Sequence, residues 1–380
     1  MTSPYFKVLE RYNILKNKEF TCTPQLSIDN FRSTQLTGRS ASGMVFGIGE
    51  VEHIPVFVKM FAMKSNIKSF STRDGKIIHR KNVQLDPNCL ELGNTKYMSD
   101  LLFSKIPFTQ NLTAVYGIKS CKYAFETDIS FCTKQPIPYQ EEYLIPNNRP
   151  ELPQSNFISN YKFQNWDDQV NVLIVEHCDG DLENLFNSTT KNYLDLEMNA
   201  DEFNKIWNSI FLQLSLTLIS MNLIMGYFNQ NDMGFRNILF TVSKSNHTYF
   251  QYNIGHNIYF VENVGYIPKV WDLPYMFLNE EIISMLKTSG NYNYLREEDV
   301  FESSIPEPIP SMIQLCRQVI EMESFVHVKN LDVCKKIIKI AQLEEDNFDY
   351  YIEQFETFIP TQEYILLEPI FQLDLNEILK

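Results

Sequence analysis

The stretch "NDMGFRNILF" holds Asp232 and Asn237 five positions apart, directly behind a long run without charges. Both residue types are common in turns, so the pair gains meaning only from partners elsewhere. Several stretches offer them. "TGRSASGMVF" reads Gly38-x-Ser40-x-x-Gly43-x-Val45, a turn of small residues whose backbone N–H groups can approach phosphate oxygens. Lys59 ends the apolar run "PVFVK" and shares a strand face with Phe57, because side chains alternate along a strand. A lysine on the inner face of an apolar strand is costly unless an anion meets it. Phosphate and a carboxylate from a neighbouring helix are its natural partners. "VLIVEHCDGDL" brings Glu176, Cys178 and Asp181 to a strand end and turn, and "YIPKVWDLPYMF" carries Asp272 behind another apolar run.

These residues need elements to hold them. "GMVFGIG" and "PVFVKMF" read as short strands separated by a turn, and the region up to about residue 60 reads as β. "CLELGNTKYMSDLLFSK" (89–105) has helical apolar spacing. From about 118 to 168 the chain is rich in Pro, Asn, Gln and Tyr without a period, which reads as an insertion or long loop. "VNVLIVEHC" (170–178) is a buried-strand run. Helical patterns follow at roughly 200–228, 309–325, 331–343 and 346–358. A β-rich first half and a helical second half make the expected class α+β.

Bulk properties narrow the function classes. A net charge of −14 and a pI near 5.0 argue against a broad nucleic-acid surface. The seven cysteines are scattered without a Cys-x-x-Cys pair, which suits free thiols better than disulfides or zinc. The six histidines form no metal-binding pair. Lys7 and Glu10 interrupt the apolar core that an export signal needs. Ile206 to Phe228 is uncharged and long enough to cross a bilayer, yet Asn208, Gln213, Ser215, Ser220 and Asn222 interrupt it and no basic cluster flanks it. A buried core helix, and no membrane span, is the expectation.

In order and content these pieces resemble a eukaryotic-type protein kinase over about residues 35 to 325. The resemblance implies a bilobal fold, with 1–175 as a β-rich N-lobe and 176–380 as a helical C-lobe. It implies ATP and Mg²⁺ as cofactors and a protein substrate. Gly38, Ser40, Gly43 and Val45 then cover the phosphates, and Lys59 meets the α/β-phosphates with Glu91 as its helix partner. Val175 guards the back of the adenine pocket, Glu176, His177 and Cys178 form the hinge, and Asp181 stands just beyond it on the nucleotide side. Leu239 provides the adenine floor. Asp232 is the catalytic-loop base, while Asn237 and Asp272 are the metal ligands. The long insertion and an inserted hairpin at about 241–270 look like those of the protein kinases of large cytoplasmic DNA viruses. That likeness implies a place in the host cytoplasm or virion, with virion association.

Departures from the family pattern matter. Gln230-Asn231 stand where His-Arg precedes the base, so regulation by an activation-loop phosphate on that Arg is not expected. Gly234 replaces the lysine two residues after the base, and Arg236, at plus four, is placed to supply the missing cation, as in tyrosine kinases. Asp272-Leu273-Pro274 stiffens the usual Asp-Phe-Gly. No Ala-Pro-Glu follows, and "NYNYLREEDVF" offers Asp299 as a helix-anchoring acid. Phe57 takes the place of an alanine that packs on adenine, and a benzyl group there either shifts the pocket or blocks it. The leading expectation is a Ser/Thr protein kinase. The alternative is a catalytically impaired pseudokinase acting as a binding or virion-structural module. A small-molecule phosphotransferase of the aminoglycoside or choline kinase type comes third.

Overall fold

The computed structural model describes residues 4–16, 18, 31–39, 45–64, 67–71, 77–81, 95, 98, 99, 102, 103, 108–122, 166–225, 233–243, 249–271, 311–343, 348–355 and 367–373. These residues mix helices with mainly antiparallel sheets, an α+β protein.

Strands β1 (Phe31–Arg39), β2 (Val45–Val51), β3 (Ile54–Lys64), β6 (Val115–Lys122) and β7 (Trp166–Glu176) form a five-stranded antiparallel sheet in the order β1-β2-β3-β7-β6. The β2–β3 turn is two residues long, and Glu52 and His53 both take positive φ (51° and 64°). That is the backbone which matches strand twist in a tight hairpin, although glycine or asparagine is usual there. An ion pair from Lys18 to Glu52 holds this turn. β4 (Ile67–Ser71) and β5 (Ile77–Lys81) pair separately.

Sequence and structure differ in two places here. The N-terminal segment, expected to be β, contains helix α1 (Pro4–Leu15), which buries Tyr5, Val8 and Leu15. Tyr5, Val8, Tyr12 and Leu15 recur at intervals of three and four, the helical stripe that alternation-based reading overlooks. The expected loop at 118–168 is shorter at both ends, because β6 and β7 run into it. Residues 123–165 lie outside the described residues. Of the expected helix at 89–105, residues 95, 98, 99 and 102 are helical and most others lie outside the description.

The second half is organised around α3 (Ala200–Met225). Asn199 and Glu202 start it with a reciprocal capping box: each side chain accepts the other's backbone N–H, at 2.9 and 3.0 Å. It is the one helix among the described residues long and apolar enough to cross a membrane, and it is largely buried inside the protein. Its polar residues are absorbed internally. Ser215, Thr217 and Ser220 donate to carbonyls one turn back at 2.8–2.9 Å, and Gln213 donates to Tyr266 O at 3.1 Å. Around it pack α2 (Leu182–Leu194), α4 (Ser311–Glu321), α5 (Phe325–Val328), α6 (Asp332–Ala341) and α7 (Phe348–Gln354).

Two small sheets complete the fold. In one, β8 (Gly180–Asp181), β9 (Ile238–Val242) and β12 (Tyr266–Val270) run in the order β12-β9-β8. The hairpin β10 (Tyr249–Ile254) and β11 (Asn257–Glu262) lies between Asn237 and Asp272, where a hairpin was expected, and β13 (Leu367–Leu373) pairs with β10 in parallel. That tail strand was not anticipated. Phe371 packs on Tyr252 (centroids 5.1 Å) and on Tyr5 of α1 (5.9 Å), so β13 lies between α1 and the β10–β11 hairpin.

A buried polar knot ties the first sheet to the second half. Asn111, in the segment leading into β6, donates to Gln213 Oε1 (3.0 Å) and Pro268 O (2.9 Å). It accepts from Tyr252 O–H at 2.6 Å and from Thr109 at 3.0 Å. Every polar atom of the Asn111 side chain is thereby engaged, as a buried amide requires.

Candidate functional site

Strand β3 alternates between two environments. Val56 and Val58 belong to the main core, whereas Phe57 packs against a separate small cluster of Val115, Leu173, Val175 and Trp271, with Ile118 and Leu239 at its rim. Lys59 lies on the Phe57 face and is 1% exposed. Its Nζ sits 5.3 Å from the centroid of the Trp271 ring. Trp271 is 6% exposed, and Phe57 meets it edge-on at 6.4 Å with an interplanar angle of 89°.

The register of β9 against β12 sets the far side of this space. Ile238 pairs with Val270, so Asn237, just before β9, and Trp271, just after β12, leave the ribbon at the same end. Asn237 closes a 3-10 turn (Phe235–Asn237), its N–H bonded to Gly234 O at 2.9 Å. Phe235, at the centre of that turn, is buried among Phe186, Trp207 and Phe211, which anchors the turn to the helical core. Leu239 is half-buried against the Val115, Leu173, Val175 and Trp271 cluster, and pairs with Asp181 across β8–β9.

Other candidates are placed as follows. Gly38 and Val45 are strand residues flanking the β1–β2 connection, paired with Phe46 and Arg39 respectively. Ser40, Gly43, Glu91, Asp232, Asp272 and Asp299 lie outside the described residues. Asp181 caps α2: its carboxylate accepts the Asn184 N–H at 2.8 Å and the Asn184 amide at 2.7 Å. Arg236 makes a bidentate pair with Glu183 on α2, Nη2 to Oε1 at 2.9 Å, and its side chain is 79% exposed. Gly234 is closely covered: a Cβ there would stand 2.0 Å from Gln318 Oε1, so a larger residue must displace that amide.

The end of β7 carries a feature not read in the sequence. Glu176 is buried, and its carboxylate pairs with buried Lys269 of β12 at 3.1 Å while accepting the Ala114 N–H at 3.3 Å. Lys269 also donates to Leu112 O at 3.5 Å. The pair bridges the last residue of the five-stranded sheet to the strand that leads to Asp272. Burial, then the nearby Glu176 charge, holds the Cys178 thiol well above its ordinary pKa. Cys178, Cys316 and Cys334 are free thiols.

Sequence reasoning missed Trp271 and Lys269. Lys269 left a signal, since a lysine flanked by Pro268 and Val270 demands an anion as much as Lys59 does, whereas Trp271 reads as one more apolar residue. Among the described residues no cluster of three or more His, Cys, Asp or Glu forms a metal centre. Beside the Asn237 turn lies an open groove of about 1070 Å³, lined by residues including Glu183, Thr190, Arg236, Gln318, Glu323 and His327. No protein-family profile matches this sequence, and no curated protein is significantly similar to it.

Proposed function

We propose that this chain is an ATP- and Mg²⁺-dependent protein kinase that transfers phosphate to Ser or Thr hydroxyls, with an N-lobe over 1–175 and a C-lobe over 176–380. The observation that carries this reading is the meeting of Lys59 with Trp271. A buried lysine on the third strand of an antiparallel sheet lies against the residue immediately before Asp272, at the ribbon end that Asn237 also leaves. Phosphoryl transfer needs that set in one place: a cation for the phosphates, oxygen ligands for Mg²⁺, and a carboxylate for the acceptor hydroxyl. Asn237 and Asp272 offer hard oxygen donors of the kind Mg²⁺ takes, and Asp232 lies two residues before Gly234. The bound Mg²⁺–ATP supplies the transferable phosphoryl group and the charge that neutralises it. The groove beside Asn237 gives an acceptor polypeptide room next to the same turn. Placement in the host cytoplasm or virion belongs to this proposal through the viral likeness alone.

A second reading has its own observation. Phe57 and Trp271 meet edge-to-face within the small cluster, filling space where a purine would lie in the pseudokinase alternative.

Transfer of labelled γ-phosphate to a Ser/Thr-rich protein acceptor in Mg²⁺ separates the two. Kinase function predicts labelled acceptor, lost in Asp232→Asn with ATP binding retained. Label that persists undiminished in Asp232→Asn would remove Asp232 from the reaction, and the absence of both transfer and ATP binding in wild type would favour the pseudokinase.

A further inference from the structure

A buried ammonium needs an electronegative partner, and the face of an indole is one. Lys59 Nζ stands within 6 Å of the Trp271 ring centroid, at 5.3 Å, with both residues almost wholly buried. That lies within the range of a cation–π contact, and burial of both groups strengthens it. The ring is not free to turn. Phe57 presses its edge on it at 89°, and Val115, Leu173 and Val175 pack in the same cluster.

We propose that Trp271 is a positioning residue that seats the Lys59 ammonium on its π face, and that Phe57 is the buttress holding that ring in place. The large side chain at position 57 then has a structural purpose on the cleft face. It maintains an aromatic seat for the lysine, next in sequence to Asp272. The indole shares the ammonium with whatever else meets it, and fixes its height in the cleft before any phosphate arrives. The seat itself stands on the geometry alone; its use in binding nucleotide rests on the kinase reading above.

Two arms of one experiment keep these apart. The first needs no nucleotide: Lys59 in the full chain is acylated with a small amine reagent and the modification rate is followed by peptide mass spectrometry. Trp271→Leu keeps bulk without a π face and is expected to raise the Lys59 rate about threefold to tenfold, with Trp271→Phe in between. Phe57→Leu, which leaves the indole but not its aromatic buttress, should give a smaller rise. Equal Lys59 rates in wild type and Trp271→Phe and Trp271→Leu, in proteins of comparable melting temperature, would overturn the seat. If Trp271→Leu does not fold, the wild-type against Trp271→Phe comparison decides alone. The second arm measures ATP affinity. Trp271→Leu should weaken it about fivefold with partial rescue in Trp271→Phe, a graded pattern that a purely structural role would not produce. Wild-type protein that binds no ATP, with the acylation gradient intact, would sink the kinase reading and leave the seat standing.

Discussion

Two aromatic assemblies in this protein are put to opposite uses. Around α3, Phe186, Phe203, Trp207, Phe211 and Phe235 close on one another, with Trp207 stacked on Phe235 at 5.5 Å and Phe211 on Phe355 at 5.2 Å. The Trp207 N–H is satisfied by the Thr189 hydroxyl at 3.1 Å. Those two ring pairs stack, the other rings meet edge-on or tilted, and the assembly lies within the main core. Around Trp271 there are few rings, a cation lies over the indole, and Phe57 and Leu239 at the rim are only half-buried. The first assembly supplies stability and holds the Asn237 turn through Phe235. The second is a small cluster whose rim residues Phe57, Ile118 and Leu239 stay partly exposed.

The contrast is broken most forcefully from the core side. Trp207→Ala removes a fully buried indole and is expected to cost about 3–5 kcal/mol, read as a fall in the denaturant midpoint. Phe57→Ala, at the half-buried rim, should lose well under half as much. A Phe57→Ala loss matching that of Trp207→Ala would mean that the two assemblies are equally structural.

The buried ion pair ranks next. Lys269→Met strands the Glu176 carboxylate in the interior, and a loss of about 3 kcal/mol is expected. Adding Glu176→Leu should restore most of it, because two apolar groups leave no buried charge behind. A double mutant no better than the single would show that this site needs the charges themselves. Tyr252→Phe comes third, at about 1 kcal/mol, since Asn111 Oδ1 keeps its bond from Thr109. Equilibrium unfolding measures both.

A pH dependence at α1 appears only in strong alkali, outside the conditions of the other tests. Burial pushes the Tyr5 hydroxyl from 10.0 up to about 12, and that hydroxyl donates to Leu102 O at 3.1 Å. The folded state holds this proton more tightly than the unfolded chain. Its contribution is therefore complete below pH 10 and is lost as pH rises through about 12. Melting curves across that range should steepen in wild type relative to Tyr5→Phe; parallel curves would contradict the assignment.

What was legible in the sequence follows from which forces act locally. Strand parity put Phe57 and Lys59 on one face, and the structure has them there because alternation is a backbone property. The uncharged run 206–228 announced a core helix, and α3 covers it to Met225. The β10–β11 hairpin was readable from its Tyr- and Ile-rich runs around Gly255, which takes φ +59° in the turn. The Glu176–Lys269 pair was not readable, since its partners lie far apart in sequence and meet only when β12 closes against the segment before β6. Nor was the seat under Lys59, because Trp271 looked like one more apolar residue before Asp272. β13 escaped for the same reason: its parallel pairing with β10 is set by tertiary contact alone.

The central claim is that Lys59 faces a nucleotide site. The most direct test is the melting temperature of the full chain titrated with ATP, with and without Mg²⁺, beside Lys59→Met. At ATP about 100 times its dissociation constant, wild type should gain about 2.7 kcal/mol of stability, with tighter binding in Mg²⁺ and little gain in Lys59→Met. No ATP-dependent shift in wild type, and none in Phe57→Ala with the ring removed, would contradict the account.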